Sequence, residues 1–192
     1  MEPPPVLEGW TDAPRGLELA QLVLDLQPET VVEIGVFGGR SLIALGLAVR
    51  ENGKGHVYGI DPWKKELSLE GETDKYGFDW WAACPLEEIH QKAMKAIWDN
   101  KLDEWVTVIR AAGQHCNQLW KQGEIDFLNI DGNHSEAVAV RDVQTWVPKV
   151  RSGGLITFDD SDWASTQKAV AELMTMTDLV KDGGKYRVCR KR

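Results

Sequence analysis

Two short stretches carry the acids best placed to do chemistry. Ile125–Ile130 (IDFLNI) runs into Asp131-Gly132-Asn133-His134, and residues 155–158 (LITF) run into Asp159-Asp160. Both runs have the length and apolar character of strands buried on both faces. As neighbours in a parallel sheet they would bring Asp131, Asp159 and Asp160 to one edge, where three uncompensated carboxylates repel. A hard divalent cation resolves that repulsion, and all-oxygen ligation selects Mg²⁺, Ca²⁺ or Mn²⁺ over zinc. His134 opens a helix at the same edge. An imidazole with an ordinary pKa of about 6.5 suits a general base at neutral pH.

A third stretch, VVEIGVFGGRS at 31–41, has the form of a buried strand, a glycine turn and a helix. Gly35, Gly38 and Gly39 permit positive φ and close approach of a ligand. The helix expected over 39–50 turns its free N–H groups toward the same place. Open α/β sheets bind nucleotide-like ligands at such a strand end. The spacing is not the dinucleotide G-x-G-x-x-G. Glu33, just before the first glycine, would repel a pyrophosphate and welcome an ammonium or sulfonium charge.

These stretches need a scaffold, and the rest of the chain supplies one. Asp12 or Thr11 caps a helix ending near Leu26, and Pro28 separates it from the strand at 31–34. His56–Ile60 is a second strand with Asp61 at its tip, 22 residues past Gly39, the distance at which a βαβ unit places a ribose-binding acid. A helix carrying Leu86, Ile89, Ala93 and Ile97 follows, then a strand over 106–110. Gly113 and Gln114 stand at its tip, where a purine edge would lie. A helix from Ser135 presents Ala139, Val143 and Trp146 inward, and Pro148 ends it. Gly153-Gly154 reads as a turn before the strand at 155–158. Residues 62–85 show no period and hold three tryptophans. A loop of that length is uncommon unless functional, so it reads as a mobile cover whose apolar face is Trp80 and Trp81. His56, His90, His115 and Cys116 have no partner to make them catalytic.

The chain of 192 residues has room for one domain with a sizeable core, preceded by a loose proline-rich segment over 1–14. Its formal charge of −8 argues against nucleic acid or an anionic membrane as partner. Three scattered cysteines fit a reducing compartment such as the cytoplasm. No run approaches the roughly 18 apolar residues of a membrane span. A homodimer could bury the tryptophan-rich surface.

Taken in order, VVEIGVFGGRS, YGIDPW, AAGQ, FLNIDGNH and ITFDD resemble the S-adenosylmethionine-dependent methyltransferases of the Rossmann-like class. Within it they resemble the metal-dependent O-methyltransferases, over residues 15–160. The resemblance implies a doubly wound α/β sheet, mostly parallel with an antiparallel last strand, for which 186–190 is the candidate, and helices on both faces. It implies that Glu33, with Gly35, Gly38 and Ser41 around it, serves the methionine end of the cofactor. Asp61 would serve the ribose, and Gly113 with Gln114 the adenine. Asp131 would belong to both the cofactor and the metal site, Asp159 and Asp160 would complete a Mg²⁺ site, and His134 would be the catalytic base. The Asp159-Asp160 pair departs from the Asp-Asn of catechol enzymes, which favours sugar or natural-product hydroxyls over catechol as acceptor. Two other readings stay open: a group of this fold assigned to hydroxylation in antibiotic pathways, and a cofactor-binding module without catalysis.

Overall fold

A computed structural model describes residues 7–71 and 75–192. The first six residues of the proline-rich segment and three residues of the expected cover lie outside the described part. Seven strands form one sheet: β1 (Thr30–Ile34), β2 (His56–Ile60), β3 (Val106–Ile109), β4 (Ile125–Ile130), β5 (Val150–Phe158), β6 (Thr177–Asp182) and β7 (Arg187–Lys191). Their order is β3-β2-β1-β4-β5-β7-β6, parallel from β3 to β5, with β7 antiparallel to both of its neighbours. The helices are α1 (Ala13–Leu26), α2 (Arg40–Asn52), α3 (Lys65–Ser68), α4 (Lys75–Ala83), α5 (Leu86–Asp99), α6 (Gly113–Leu119), α7 (Glu136–Trp146) and α8 (Gln167–Met176).

The two-residue alternation of a strand divides the core into two layers. Val31 and Val57 meet Leu19 and Val23 of α1, Leu42 and Leu45 of α2, and Ile89 and Ile97 of α5. Val32 and Ile34 face the other way, against Val143 and Trp146 of α7 and Leu173 of α8. This is the doubly wound arrangement the motifs imply. The parallel pairings also extend one residue past the strands. Asp61 N–H donates to Ile109 O, Gly35 N–H to Ile60 O, Asp131 N–H to Ile34 O and Asp159 N–H to Ile130 O. Four of the residues singled out by sequence are therefore held in line along one sheet edge by backbone bonds.

A polar row crosses the centre of the sheet. Register places Glu33 beside Asn129 and Asn129 beside Thr157. All three are fully buried, with Thr157 Oγ1 donating to Asn129 Oδ1 and Asn129 Nδ2 to Glu33 Oε1. Sliding β4 by one residue would leave each of these groups without its partner, so the row specifies register.

Three expectations need correction. Residues 62–85 are not structureless, because α3 and α4 lie within them. Asn133 Nδ2 donates to the carbonyls of Leu67, Ser68 and Glu70, tying this segment to the β4–α7 loop. Gly153-Gly154 is no turn: β5 already begins at Val150 and bulges there, pairing Ile125 with Val150 but Phe127 with Leu155. The antiparallel strand at the C-terminus has a companion, β6, which half-exposed residues such as Leu179 and Val180 do not advertise. Among the described residues no helix is long and apolar enough to cross a membrane.

Candidate active site

The aligned strand tips floor a cleft of about 1850 Å³. It is lined by Gly35, Gly38, Ser41, Asp61, Gly113, Gln114, Asp131, His134, Asp159 and Asp160, so all but one of the residues that the family resemblance assigns to the site reach it. The exception is Glu33, which lies beneath the floor.

The glycine turn is built differently from the way its sequence reads. Gly35 (φ 89°) and Gly39 (φ 85°) are left-handed, whereas the third left-handed residue is Phe37 (φ 47°) and not Gly38. A Cβ on Gly35 would fall 1.9 Å from the Asp131 carbonyl oxygen, and one on Gly38 2.0 Å from that of Glu8. At both places it is the protein's own backbone, not a ligand, that demands glycine. Gly39 caps α2 with no side chain, leaving the first N–H groups of a thirteen-residue helix open toward the cleft.

Asp61 holds this turn in shape. Its Oδ2 accepts from the N–H groups of Val36 and Phe37 at 3.0 and 2.9 Å, and Oδ1 from Trp63 N–H at 2.7 Å. Oδ1 keeps a lone pair for a ligand hydroxyl, whereas both acceptor sites of Oδ2 are taken. Burial, partly offset by these bonds, raises its pKa.

Glu33 has one oxygen bonded to Asn129, while Oε2 is buried with no hydrogen-bond partner. Burial outweighs the help of Ser41 and Asn129 and pushes its pKa up to about 8. The folded chain therefore holds a proton that the unfolded chain, titrating near 4.5, releases, so stability falls as pH rises from about 4.5 to 8. Glu33→Gln is expected to raise the melting temperature of the ligand-free protein, by several degrees more at pH 8 than at pH 5. Equal shifts at both pH values would mean that Glu33 is not the group responsible.

At the other end, Asp131, His134 and Asp160 offer ligand atoms that all lie within 4.8 Å of one another. His134 Nε2 is 2.9 Å from Asp160 Oδ2 and 3.7 Å from Asp131 Oδ1, yet it is buried without an aligned hydrogen bond. Burial lowers the imidazole pKa, but the two carboxylates more than reverse this and raise it to about 9. Asp131 is pushed up to about 6, by burial first and then by the charges of Asp159 and Asp160. Trp163 covers His134, with ring centroids 4.9 Å apart.

Asp159 is at the edge the sequence assigns it, but its carboxylate is engaged elsewhere. Arg15 of α1 grips it with Nε at 3.1 Å and Nη2 at 2.9 Å, and the guanidinium also stacks 3.9 Å over the Tyr186 ring. The structure thus gathers two aspartates and a histidine, with the third aspartate neutralised by arginine. Sequence reasoning did not find Arg15, since nothing local distinguishes a first-turn arginine that reaches 144 residues along the chain.

Over the glycine turn, Trp10 stacks on Phe37 at 5.1 Å, and Trp80 and Trp81 of α4 close around them. Residues 7–12 are packed here too: Arg40 Nε donates to Leu7 O at 2.7 Å. The expected cover is therefore a wall of the cleft, meeting the turn through its aromatic face.

The methyltransferase domain family matches residues 32–161, from β1 through the second acidic motif. Caffeoyl-CoA O-methyltransferase 1 of Eucalyptus globulus is 27% identical over 158 residues, covering 80% of this chain and 53% of that protein. Tricin synthase 1 of Oryza sativa subsp. japonica is 30% identical over 136 residues, covering 70% and 46%. The chain thus spans about half the length of the curated relatives it matches. The O-methyltransferase TomG of Streptomyces achromogenes, solved in complex with S-adenosylmethionine, shares the fold with a TM-score of 0.69 at 15% identity, over 97% of this chain and 82% of that one. On these grounds the chain belongs to the methyltransferase domain family, built on the fold of S-adenosylmethionine-dependent O-methyltransferases.

Proposed function

We propose that the cleft binds S-adenosylmethionine along the glycine turn and that the chain methylates a hydroxyl of a small polyhydroxylated acceptor (a sugar, natural product or phenol) with the aid of a divalent cation. What supports this is the convergence, at one edge of one sheet, of a turn open to a nucleoside-like ligand and the cluster Asp131–His134–Asp160. The donor set fits a hard cation. The two carboxylates of Asp131 and Asp160 lie together, with no lysine or arginine paired to them among the described residues, and would hold the cation, while the buried imidazole nitrogen beside them, which lacks a hydrogen bond, stays free to act as a base. Bound there, a cation would lower the pKa of the acceptor hydroxyl and offset the carboxylate charge that otherwise keeps His134 protonated.

The remaining roles belong to side chains of this chain. Asp61 accepts from a ribose hydroxyl at Oδ1 while holding the turn, and Gly113 with Gln114 edge the purine. The open N–H groups of α2 receive the donor's carboxylate, and Glu33, with its partnerless oxygen, balances the ammonium end from below. His134 takes up at Nε2 the proton that the acceptor hydroxyl gives up as its oxygen bonds the methyl carbon in line with the leaving sulfur. Trp163, Trp80 and Trp81 exclude water and hold that geometry, from which positioning alone can contribute roughly 7 to 11 kcal/mol.

Incubation with methyl-labelled S-adenosylmethionine and a panel of vicinal diols and phenols tests the reading. Label should pass to an acceptor, EDTA should abolish the transfer, and Mg²⁺ should restore it. Transfer undiminished by EDTA would remove the metal from the reaction. Absence of cofactor binding would overturn the proposal altogether.

A further inference from the structure

Arg15, Glu18, Lys181 and Tyr186 form one wall of the cleft beside the acidic edge. Their charges close on one another and on Asp159. Arg15 gives Nε and Nη2 to the two Asp159 oxygens and Nη1 to Glu18 at 3.2 Å, and Lys181 holds the other Glu18 oxygen at 2.6 Å. Two cations thus balance two carboxylates within this network. The Arg15 and Asp159 side chains are only 11% and 18% exposed, and their two parallel bonds are the geometry in which a guanidinium holds a carboxylate best. Tyr186 backs the guanidinium and fixes its plane.

Asp159 and Asp160 are consecutive, yet they serve different partners. Asp160 lies in the left-handed region (φ 49°), and Thr166 Oγ1 donates to its carbonyl at 2.7 Å. That turn sends the Asp160 carboxylate to His134, 2.9 Å away, and leaves Asp159 to α1. The third carboxylate of the edge is therefore already taken, by an arginine 144 residues distant in the chain.

We propose that Arg15 is a latch on the cation site, holding Asp159 away from the ion so that Asp131 and Asp160 are the carboxylates that bind it. This rests on the cation reading above. Each anionic ligand added to a hard-cation site raises its affinity, and a permanently charged guanidinium competes with the ion for the Asp159 oxygens. The latch lowers affinity and keeps free a coordination position that a third carboxylate would fill. An acceptor's hydroxyls need such open positions.

Mn²⁺ binding to the metal-stripped full chain, followed by calorimetry, tests this. In Arg15→Gln the freed carboxylate should tighten binding by roughly tenfold or more. Combining Arg15→Gln with Asp159→Asn removes one charge of each sign and keeps two side chains able to hydrogen-bond, so the double variant should bind Mn²⁺ within about threefold of wild type. A double variant weaker by roughly tenfold or more would mean that Asp159 ligates the ion despite Arg15, overturning the latch and leaving the cation reading intact. Absence of any gain in Arg15→Gln would overturn it too. That variant leaves a buried carboxylate uncompensated, so its thermal melt supplies a second readout. Saturating Mn²⁺ should raise its melting temperature by several degrees more than that of wild type, and an equal or smaller rise would count as refutation. If neither wild type nor the variants bound Mn²⁺, the cation reading and the latch would fall together.

Discussion

Turnover in His134→Ala is expected to fall by roughly 10²- to 10⁴-fold, the span over which a positioned acid–base group contributes. Cofactor affinity should stay unchanged, because the ring meets Trp163 and the two carboxylates and not the glycine turn. The size of the loss follows from the absence of a substitute. In the acidic cluster the other groups are Asp131 and Asp160, which would hold the cation, and Asp159 is occupied by Arg15. Single-turnover rates on saturating cofactor, with calorimetric cofactor binding as control, make the measurement. A loss below about tenfold would place the base elsewhere.

Gly35→Ala should be the most damaging small substitution in the molecule. The new methyl would fall 1.9 Å from the Asp131 carbonyl oxygen and 2.7 Å from Gly132 Cα, on a residue held at φ 89°. Backbone strain and overpacking together give a destabilisation on the order of 3 kcal/mol or more, and relief requires β1 and β4 to part at their tips. That movement would carry Asp131 away from His134 and Asp160, so cofactor binding and transfer should be lost together. Gly53 is the internal control: also left-handed (φ 65°), it has nothing within 4 Å of its added Cβ. Gly53→Ala should lose only the cost of the conformation, about 1 to 2 kcal/mol, with activity retained. Thermal melts that failed to separate the two variants would show that the packing of the turn against β4 has been misjudged.

The correspondence between β1 and β4 tips explains why so much of this site was legible in sequence. In a parallel sheet the residue after each strand lands on one edge whatever the side chains elsewhere do. Asp61, Asp131 and Asp159 could therefore be placed from the ends of three apolar runs, and the backbone ladder puts them there. The helices α5 and α7 were likewise evident from their 3.6-residue period. Residues 62–85 were not, because α4 buries no residue in the core and so leaves no period. Its tryptophans are spent on Trp10 and Phe37, a contact that joins three separate parts of the chain.

By itself, the sequence determined the alternation of strands and helices, the edge at which the chemistry collects and the identity of the acids there, since each depends on local pattern and strand ends alone. Only the tertiary structure decided which acids lie together. Side-chain direction and the reach of Arg15 from α1 set Asp159 apart and left Asp131, Asp160 and His134 as the cluster. The same holds for Glu33 beneath the floor. Burial and partnership are properties of packing between elements distant in sequence, and no local run of residues encodes them.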